Sequence, residues 1–241
     1  MKRLDVYLYD KKLFPTREKA KEAILSGIIS VNNKICTKPG TKVDEFCKVE
    51  IMGQVLKYVS RAGLKLEKAI NFWNLDFENK IVLDVGASTG GFTDCALQFG
   101  AKKVFSVDVG TNQLHEKLKL NPKVVNLEKT DFRNLKNFEQ EIDICVCDCS
   151  FISLKLLSSQ FSNFLTKNKI LIVLIKPQFE CGLALAKKYK GVIKDATLYD
   201  KIKKDIILDF ESKNLKFIDC CESPIKGTSG NTEFLAYFIK K

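Results

Sequence analysis

The chain of 241 residues contains one histidine, His115, and no apolar run near the length of a membrane helix. A spanning helix takes about 20 apolar residues, whereas the longest strongly apolar run here is ILIVLI, at positions 170–175. The N-terminus, MKRLDVYLYDKK, is charged throughout, so it does not have the pattern of a secretory signal. We therefore expect a cytoplasmic protein with no membrane partner.

Nine cysteines are present, and three of them fall in CVCDCSF, residues 145–151. In a reducing compartment they are expected to be free thiols. On a strand, Cys145, Cys147 and Cys149 share one face, with the outer two about 13 Å apart. Sulfurs that bind one zinc lie within about 4 Å of one another. We therefore predict no metal here, and expect the cysteines to pack as small apolar side chains.

Positive charge exceeds negative charge, with 40 Lys and Arg against 29 Asp and Glu and a net charge of +11. This excess favours an anionic partner, nucleic acid before a membrane surface, although a role in solubility is the alternative. Residues 1–60 hold twelve basic and seven acidic residues, against 28 and 22 in the rest, so the N-terminal part is more basic per residue. Its charge and layout favour RNA or DNA binding.

The pattern of residues 1–58 predicts a small α+β unit. RLDVYLYDKKLF has apolar residues at helical spacing, and PTREKAKEAILSG reads as a helix capped by Thr16 and ended by Gly27. IISVNNKICT predicts a hairpin that turns at Asn32 and Asn33, because asparagine tolerates positive φ. A linker is predicted at 59–63.

Residues 64–241 predict an α/β domain. Short β-branched runs, such as KIVLDVGAS, KKVFSVDVG and KILIVLIKP, are separated by stretches that suit helices. This alternation predicts a mostly parallel sheet with helices on both faces. LKFIDCCESP and TEFLAYFIKK are expected to form an antiparallel pair of late strands at the edge.

A glycine-rich turn, LDVGASTGGFTD, leads from an apolar strand into a predicted helix. Gly86, Gly90 and Gly91 permit a tight turn and a close approach of a ligand to the backbone. The spacing is not G-x-G-x-x-G, which disfavours a dinucleotide dehydrogenase.

Three aspartates stand at or near the ends of successive predicted strands, namely Asp84, Asp108 and Asp131. Ligands of parallel sheets bind at this edge, and an acidic residue after the second strand typically binds ribose hydroxyls. We therefore expect an adenosine-containing cofactor. S-adenosylmethionine fits better than NAD, because nothing in the turn is suited to a pyrophosphate.

The same turn contains G-x-S-x-G with Ser88 at its centre, which is also the pattern of a serine-hydrolase nucleophile. Asp108 and His115 complete a triad in chain order. However, Asp108 and His115 both follow the same predicted strand, next to the one before Ser88. In serine hydrolases of this type the histidine base normally comes from a later loop. A hydrolase is therefore the less favoured interpretation.

The chain resembles the TlyA family of ribosomal RNA 2′-O-methyltransferases over essentially its whole length. The first part resembles an S4 RNA-binding domain through RLDVYL, TREKAKEAILSGIISVNNK and TKPG. The remainder resembles the class I, Rossmann-like fold of the FtsJ-type RNA methyltransferases through SRAGLKL, LDVGASTGGFTD, VDVG, DCSFIS, LIKPQFE and NTEF. The resemblance implies a mostly parallel, seven-stranded sheet with S-adenosylmethionine as cofactor. The glycine-rich turn, including Ser88, would bind it.

The resemblance also implies a catalytic tetrad, carried over motif by motif onto Lys65, Asp148, Lys176 and Glu233. A ribose hydroxyl must be deprotonated or polarised as it attacks, and an ordinary lysine is protonated at neutral pH. We expect burial and a second cation to favour the neutral form of Lys176. Lys65 would be that cation, and the two carboxylates would orient the pair.

The family further implies a partner, ribosomal RNA within ribosomal subunits. We expect a cytidine of 23S rRNA in the large subunit, with 16S rRNA less favoured because the chain resembles the shorter family members. Arg3, Arg17 and Lys38 match basic positions of the S4 pattern and are the predicted RNA contacts. Two alternatives stay open, an RNA-binding assembly factor with an inactive enzyme domain and a secreted haemolysin.

Overall fold

The computed structural model describes residues 1–25, 27–52, 57–136, 138, 140–189, 191–227 and 229–241. Contacts divide the chain into two units, Met1–Leu56 and Lys57–Lys241, each with its own apolar core. None of the helices in these ranges combines the length and apolar character needed to cross a bilayer.

The first unit places two helices beside short strands. In chain order its elements are β1 (Lys2–Arg3), α1 (Leu4–Asp10), α2 (Arg17–Leu25), β2 (Ile29–Val31), β3 (Lys34–Ile35), β4 (Lys42–Val43) and β5 (Val49–Ile51). Strands β3, β2 and β5 form an antiparallel sheet in that order, and β1 pairs with β4. The β1–β4 pair was not predicted.

Local signals in the first unit act as the sequence predicts. The Lys19 N–H donates to Thr16 Oγ1 at 3.1 Å at the start of α2, which confirms the capping role of Thr16. Asn32 and Asn33 take φ of 51° and 63° between β2 and β3, as a two-residue hairpin turn requires. Leu4, Leu8 and Ile24 are fully buried between α1, α2 and the strands.

The second unit alternates helices and strands. In chain order its elements are α3 (Gly63–Trp73), β6 (Ile81–Val85), α4 (Gly91–Gln98), β7 (Lys103–Val107), α5 (Glu116–Lys119), β8 (Val124–Leu127), β9 (Ile142–Cys147), α6 (Ser158–Phe164), β10 (Leu165–Ile175), α7 (Pro177–Glu180), α8 (Leu183–Lys188), α9 (Ala196–Ser212), β11 (Leu215–Glu222) and β12 (Phe234–Lys240). The predicted α/β class is confirmed.

Within the described ranges these strands form a seven-stranded sheet in the order β11-β12-β10-β9-β6-β7-β8. The five strands from β10 to β8 are parallel, whereas β12 runs antiparallel to both β10 and β11. Because β12 is inserted between β10 and β11, only β11 of the predicted late pair lies at the edge. The start of β12 therefore meets the carboxyl ends of the parallel strands.

Side chains of the sheet alternate between two apolar layers. On β9, Cys145 and Cys147 face the layer that includes α6 and α9, while Ile144 and Val146 face the layer that includes α3 and α4. Burial on both faces explains the continuous apolar runs. Cys145 and Cys147 are buried free thiols in this packing, as predicted. Cys149, which was predicted on the same strand face, lies beyond the end of β9 and is only partly buried.

Candidate active site

Four charged side chains meet at the carboxyl edge of the sheet in a chain of alternating charge. Glu233 Oε2 lies 2.7 Å from Lys65 Nζ, which also lies 3.3 Å from Asp148 Oδ2. Asp148 Oδ1 in turn lies 2.6 Å from Lys176 Nζ. Lys176 Nζ also donates to Ser150 Oγ at 2.8 Å. The four residues predicted as the tetrad are thus brought together.

Each of the four is delivered by a different element. Lys65 lies in the first turn of α3, Asp148 follows β9, Lys176 follows β10, and Glu233 precedes β12. Lys65, Lys176 and Glu233 are buried. Burying a charge is costly unless it is paired, so these pairings are what permits two lysines to lie inside the domain.

Two adjoining clefts open at this edge. The larger, of about 1020 Å³, is lined by all four charged residues. The smaller, of about 550 Å³, is lined by Asp108 and Asp131 together with apolar side chains such as Phe132 and Leu157. Gly86, Ser88, Asp148, Ser150, Phe151 and Ile152 line both, so a ligand in the smaller cleft reaches the edge of the tetrad.

Asp108 fixes the glycine-rich turn. Its Oδ2 accepts from the Ser88 N–H at 2.8 Å and its Oδ1 from the Gly110 N–H at 2.7 Å. Gly86 takes φ of +80°, and a Cβ there would lie 2.9 Å from Cys149 Sγ and 3.1 Å from the Asp148 carbonyl oxygen. Glycine is therefore needed at position 86 both for its backbone conformation and for its contact with the Asp148 loop.

Gly90 is required first by its backbone conformation, and both Gly90 and Gly91 pack closely against neighbouring side chains. A Cβ on Gly90, whose φ is +93°, would collide with Leu118 at 2.2 Å, and one on Gly91 would collide with Ser60 Oγ at 2.3 Å. Gly91 lines the larger cleft, whereas Gly90 is not among the described residues that line either cleft.

Asp84 does not reach a cleft in the described structure, in contrast to its predicted contact with a cofactor. It lies within β6, so its side chain points to the helix-covered face rather than beyond the strand end. The carboxylate is fully buried and its Oδ2 accepts from Thr93 Oγ1 at 2.6 Å. Burial raises the pKa of Asp84 to about 7, and the charges of Asp148 and Asp108 act in the same direction.

Asp131 lines the smaller cleft and caps the 3₁₀ turn Phe132–Asn134. It pairs with Arg133, whose Nη2 lies 2.6 Å from Asp131 Oδ2. This hydrogen-bonded pairing holds the pKa of Asp131 below its ordinary value. Asp131 therefore brings a carboxylate that stays ionised at neutral pH.

Phe151 is a cleft residue whose role the sequence reasoning did not single out, although it stands in the motif DCSFIS. The residue is 91% exposed, and its backbone is left-handed with φ of +65°. Positive φ is rare for a bulky residue and marks a strained position. The ring centroid lies 5.0 Å from that of Phe179, and Lys176 Nζ lies 6.0 Å from the Phe179 centroid.

Glu180, which the sequence reasoning also missed, holds the loop that carries Phe151. Glu180 Oε2 accepts from Ser153 Oγ at 2.6 Å and Oε1 from the Leu154 N–H at 2.9 Å. Burial raises the pKa of this carboxyl. The loop is therefore tied at both ends, through Ser150 to Lys176 after β10 and through Ser153 and Leu154 to Glu180 at the end of α7.

The geometry does not support the hydrolase alternative. His115 caps α5, where its Nδ1 accepts from the Lys117 N–H at 3.2 Å. Across the described part of the chain, no hydrogen bond joins His115 to Ser88. Asp108 accepts from the backbone N–H groups of Ser88 and Gly110. Among the described residues no hydrogen bond joins Asp108 to His115, so they form no Ser–His–Asp relay.

The predicted RNA contacts cluster in the first unit. Arg3 and Arg17 both bind the carboxylate of Asp5, at 3.0 Å and 2.9 Å. Lys38 lies in a neighbouring loop, in which Pro39 O accepts from the Asp5 N–H at 3.2 Å. Two of the three cations thus share one acidic residue, and the third lies in a loop whose backbone contacts that residue.

Comparison with known proteins gives a match to two family models. Residues 58–240 match the FtsJ-like methyltransferases, and residues 2–46 match the S4 domain. A solved structure of a candidate hemolysin from Streptococcus thermophilus has a TM-score of 0.76 and 38% identity, covering 100% of this chain and 88% of that chain.

Relatives match over nearly the same span. A candidate rRNA methyltransferase, YqxC of Bacillus subtilis, is 42% identical, covering 98% of this chain and 84% of its own length. The 23S rRNA (cytidine-2′-O)-methyltransferase TlyA of Campylobacter jejuni is 39% identical over 80% of this chain and 74% of its own. The 16S/23S rRNA (cytidine-2′-O)-methyltransferase TlyA of Mycobacterium tuberculosis is 31% identical over 98% and 88%. The chain therefore belongs to the FtsJ-like methyltransferase family and, with an S4 domain ahead of the methyltransferase domain, to its TlyA group.

Proposed function

We propose that this protein transfers a methyl group from S-adenosylmethionine to the ribose 2′-hydroxyl of a cytidine in ribosomal RNA. The observation that carries the proposal is the alternating chain Glu233–Lys65–Asp148–Lys176, all buried except Asp148, in the wall of an open cleft. Two relatives named as rRNA (cytidine-2′-O)-methyltransferases support the choice of reaction.

The smaller cleft fits the nucleoside part of the cofactor. Asp108 and Asp131 present carboxylate oxygens that can accept hydrogen bonds from ribose hydroxyls, and Phe132 and Leu157 provide an apolar wall for a base. Gly86 and Ser88 would hold the part of the cofactor next to the tetrad. When bound, S-adenosylmethionine supplies a methyl group on a positively charged sulfur.

Asp84 would serve the cofactor indirectly. Its bond to Thr93, and the 2.7 Å contact between Thr93 Oγ1 and Ser106 Oγ, join β6, α4 and β7 beneath the glycine-rich turn. We therefore assign it the role of holding the turn rather than of touching the ligand. Gly90 has the same kind of role through its packing on Leu118.

Lys176 is the residue proposed to act on the hydroxyl. Its Nζ is held by Asp148 and Ser150. An uncharged amine at this place would take the hydroxyl proton while the oxygen bonds to the methyl carbon and the bond from that carbon to sulfur breaks. Lys65 binds both carboxylates and so fixes Asp148 against Lys176. Most of the rate enhancement would come from holding the hydroxyl in line with the methyl group.

The exposed ring of Phe151 offers a surface on which the base of the target nucleotide can stack, since every base has a π-face that binds aromatic rings.

The first unit would hold flanking RNA through Arg3, Arg17 and Lys38. A cytoplasmic location follows from a ribosomal substrate. We favour 23S rRNA because identity is higher to the relative named for 23S alone than to those named for both RNAs.

The test is to map 2′-O-methylated cytidines in rRNA from cells with and without the gene, and to incubate purified protein with isolated subunits and the cofactor. We expect one large-subunit cytidine to gain a methyl group in both experiments. Methylation of 16S rRNA would correct the choice of subunit. RNA binding without methylation in either experiment would overturn the enzyme assignment in favour of an assembly factor.

A further inference from the structure

Asp5 is a buried carboxylate shared by two arginines. Arg3 donates through Nε at 3.0 Å and Nη2 at 3.3 Å, and Arg17 through Nε at 3.0 Å. The Asp5 side chain is 3% exposed, against 47% for Arg3 and 51% for Arg17. Burial acts to raise the pKa of Asp5, but the hydrogen bonds and charges of the arginines prevail and lower it. Asp5 is therefore ionised while the arginines reach the surface.

The backbone ties the Lys38 loop to the same point. The Leu4 N–H donates to Thr41 O at 2.8 Å and the Asp5 N–H to Pro39 O at 3.2 Å. A Cβ on Gly40 would lie 3.3 Å from Arg3 Nη1, so the guanidinium lies close against the loop backbone. Asp5 is thus in contact with both arginines and with the loop that carries the third cation.

This arrangement suits phosphate recognition. A guanidinium has five N–H donors in a rigid fork, and Asp5 engages the Nε and Nη2 side of Arg3. Because these two bonds fix the plane of the guanidinium, the N–H groups of Arg3 Nη1 also point in a fixed direction. An arginine that is fixed before it binds loses less rotamer entropy for each hydrogen bond that it forms with a phosphate.

We propose that Asp5 is a positioning residue for RNA binding, which orients Arg3 and Arg17 toward phosphate groups, so that removing its negative charge weakens binding. The proposal rests on the RNA-binding role proposed above for these arginines. Charge alone predicts the opposite effect of this change on RNA affinity. A protein with one fewer acidic residue beside two cations attracts phosphates more strongly. The direction of the effect therefore separates positioning from simple electrostatics.

The experiment compares Asp5→Asn with Asp10→Asn in the full chain. Asp10 lies on the same helix, is exposed, and pairs with Lys2 at 2.6 Å, so the control removes the same charge away from the arginines. Binding to transcribed 23S rRNA is measured at several salt concentrations. We expect Asp5→Asn to bind about fivefold more weakly and Asp10→Asn to bind as tightly as wild type or more tightly. Equal or tighter binding by Asp5→Asn would overturn the proposal.

A second comparison separates this proposal from the RNA-binding role itself. The double variant Arg3→Ala and Arg17→Ala should bind more weakly, and unchanged binding would remove the RNA contact and this inference with it. Adding Asp5→Asn to that background should cause no further loss, because Asp5 acts through the arginines. If Asp5→Asn still weakens RNA binding in the protein without these two arginines, then Asp5 only supports the fold, which contradicts the proposal.

A charge-conserving variant keeps the test decisive if Asp5→Asn does not fold, as judged by circular dichroism. Arg17→Lys is a surface change that keeps the positive charge but cannot form the same fork with Asp5. We expect binding to weaken several-fold with a nearly unchanged salt dependence. Affinity equal to wild type would show that charge suffices and that Asp5 does not position the contact.

Discussion

Lys65 Nζ lies 2.7 Å from Glu233 Oε2, although 168 residues separate the two in the chain. The pair joins the first helix of the methyltransferase domain to the residue just before its last strand, and both side chains are buried. Because a buried ion is stable only with its partner, stability and the geometry of the proposed tetrad depend on the same contact.

The Lys65–Glu233 pair allows stability to be separated from activity. Glu233→Met leaves Lys65 with a weaker set of partners and should lower the free energy of unfolding by about 3 kcal/mol. The double variant Lys65→Met and Glu233→Met should recover much of that loss, since it leaves no unpaired buried charge. It should remain inactive. Urea denaturation and methyl transfer, measured on the same samples, check both statements, and an active double variant would contradict the assignment.

Lys176→Ala should reduce methyl transfer by at least about a thousandfold, because it removes the proposed proton acceptor. Cofactor binding should stay close to that of wild type, since Lys176 is not among the described residues that line the smaller cleft. Isothermal titration with the cofactor and transfer to large subunits provide the two measurements. The matched control is Lys155→Ala, at an exposed position in the 3₁₀ turn Leu154–Leu156 that follows the Phe151 loop. Turnover at the wild-type rate in Lys176→Ala would exclude the proposed role.

Asp84 should make stability fall as pH rises. The folded state keeps the Asp84 proton up to about pH 7, whereas the unfolded chain loses it near pH 4. Folding therefore binds a proton in this window, and stability is highest below it and declines by about 1.4 kcal/mol per pH unit across it. Asp84→Asn keeps an acceptor for Thr93 and should remove this decline. Urea midpoints at pH 5 and pH 8 test it, with exposed Asp200→Asn as control, and parallel curves for wild type and Asp84→Asn would refute it.

Phe151→Gly should separate strain from function. Glycine adopts positive φ freely, so relief of about 1 kcal/mol of strain offsets the entropy that glycine adds to the unfolded chain. Thermal unfolding should be nearly unchanged, while transfer to RNA should slow by about tenfold or more as the stacking surface is lost. Phe151→Tyr retains the ring and should keep most of the activity. Equal rates for the glycine and tyrosine variants would rule out stacking.

Local features of the fold were predictable because their causes are local. Thr16 and the Asn32–Asn33 turn are each explained by residues within a few positions. The glycine-rich turn was predictable for the same reason, since positive φ at Gly86 is a property of that residue. The ends of parallel strands likewise place Asp108 and Asp131 at one edge.

Other features depend on the whole fold. Asp84 stands near the carboxyl edge, as expected, but it shares one face of β6 with Val82. This places its side chain under the helices, where it is fully buried. The left-handed backbone at Phe151 is imposed by contacts from both ends of its loop, which no local pattern encodes. The meeting of Lys65 with Glu233 depends on the insertion of β12 between β10 and β11.

That insertion also bears on the order of folding. Strand β12 occupies an interior place in the sheet, with Phe234 opposite both Ile175 and Glu222, yet it follows both of its neighbours in the chain. Strands β10 and β11 cannot be joined in this sheet until β12 arrives, and contacts between distant parts of a chain form late and slowly. Glu233 comes into place with the same strand. A chain in which β12 has not yet paired with β10 would therefore lack the nearer of the two carboxylates that bind Lys65, so the strand that completes the sheet also completes the proposed tetrad.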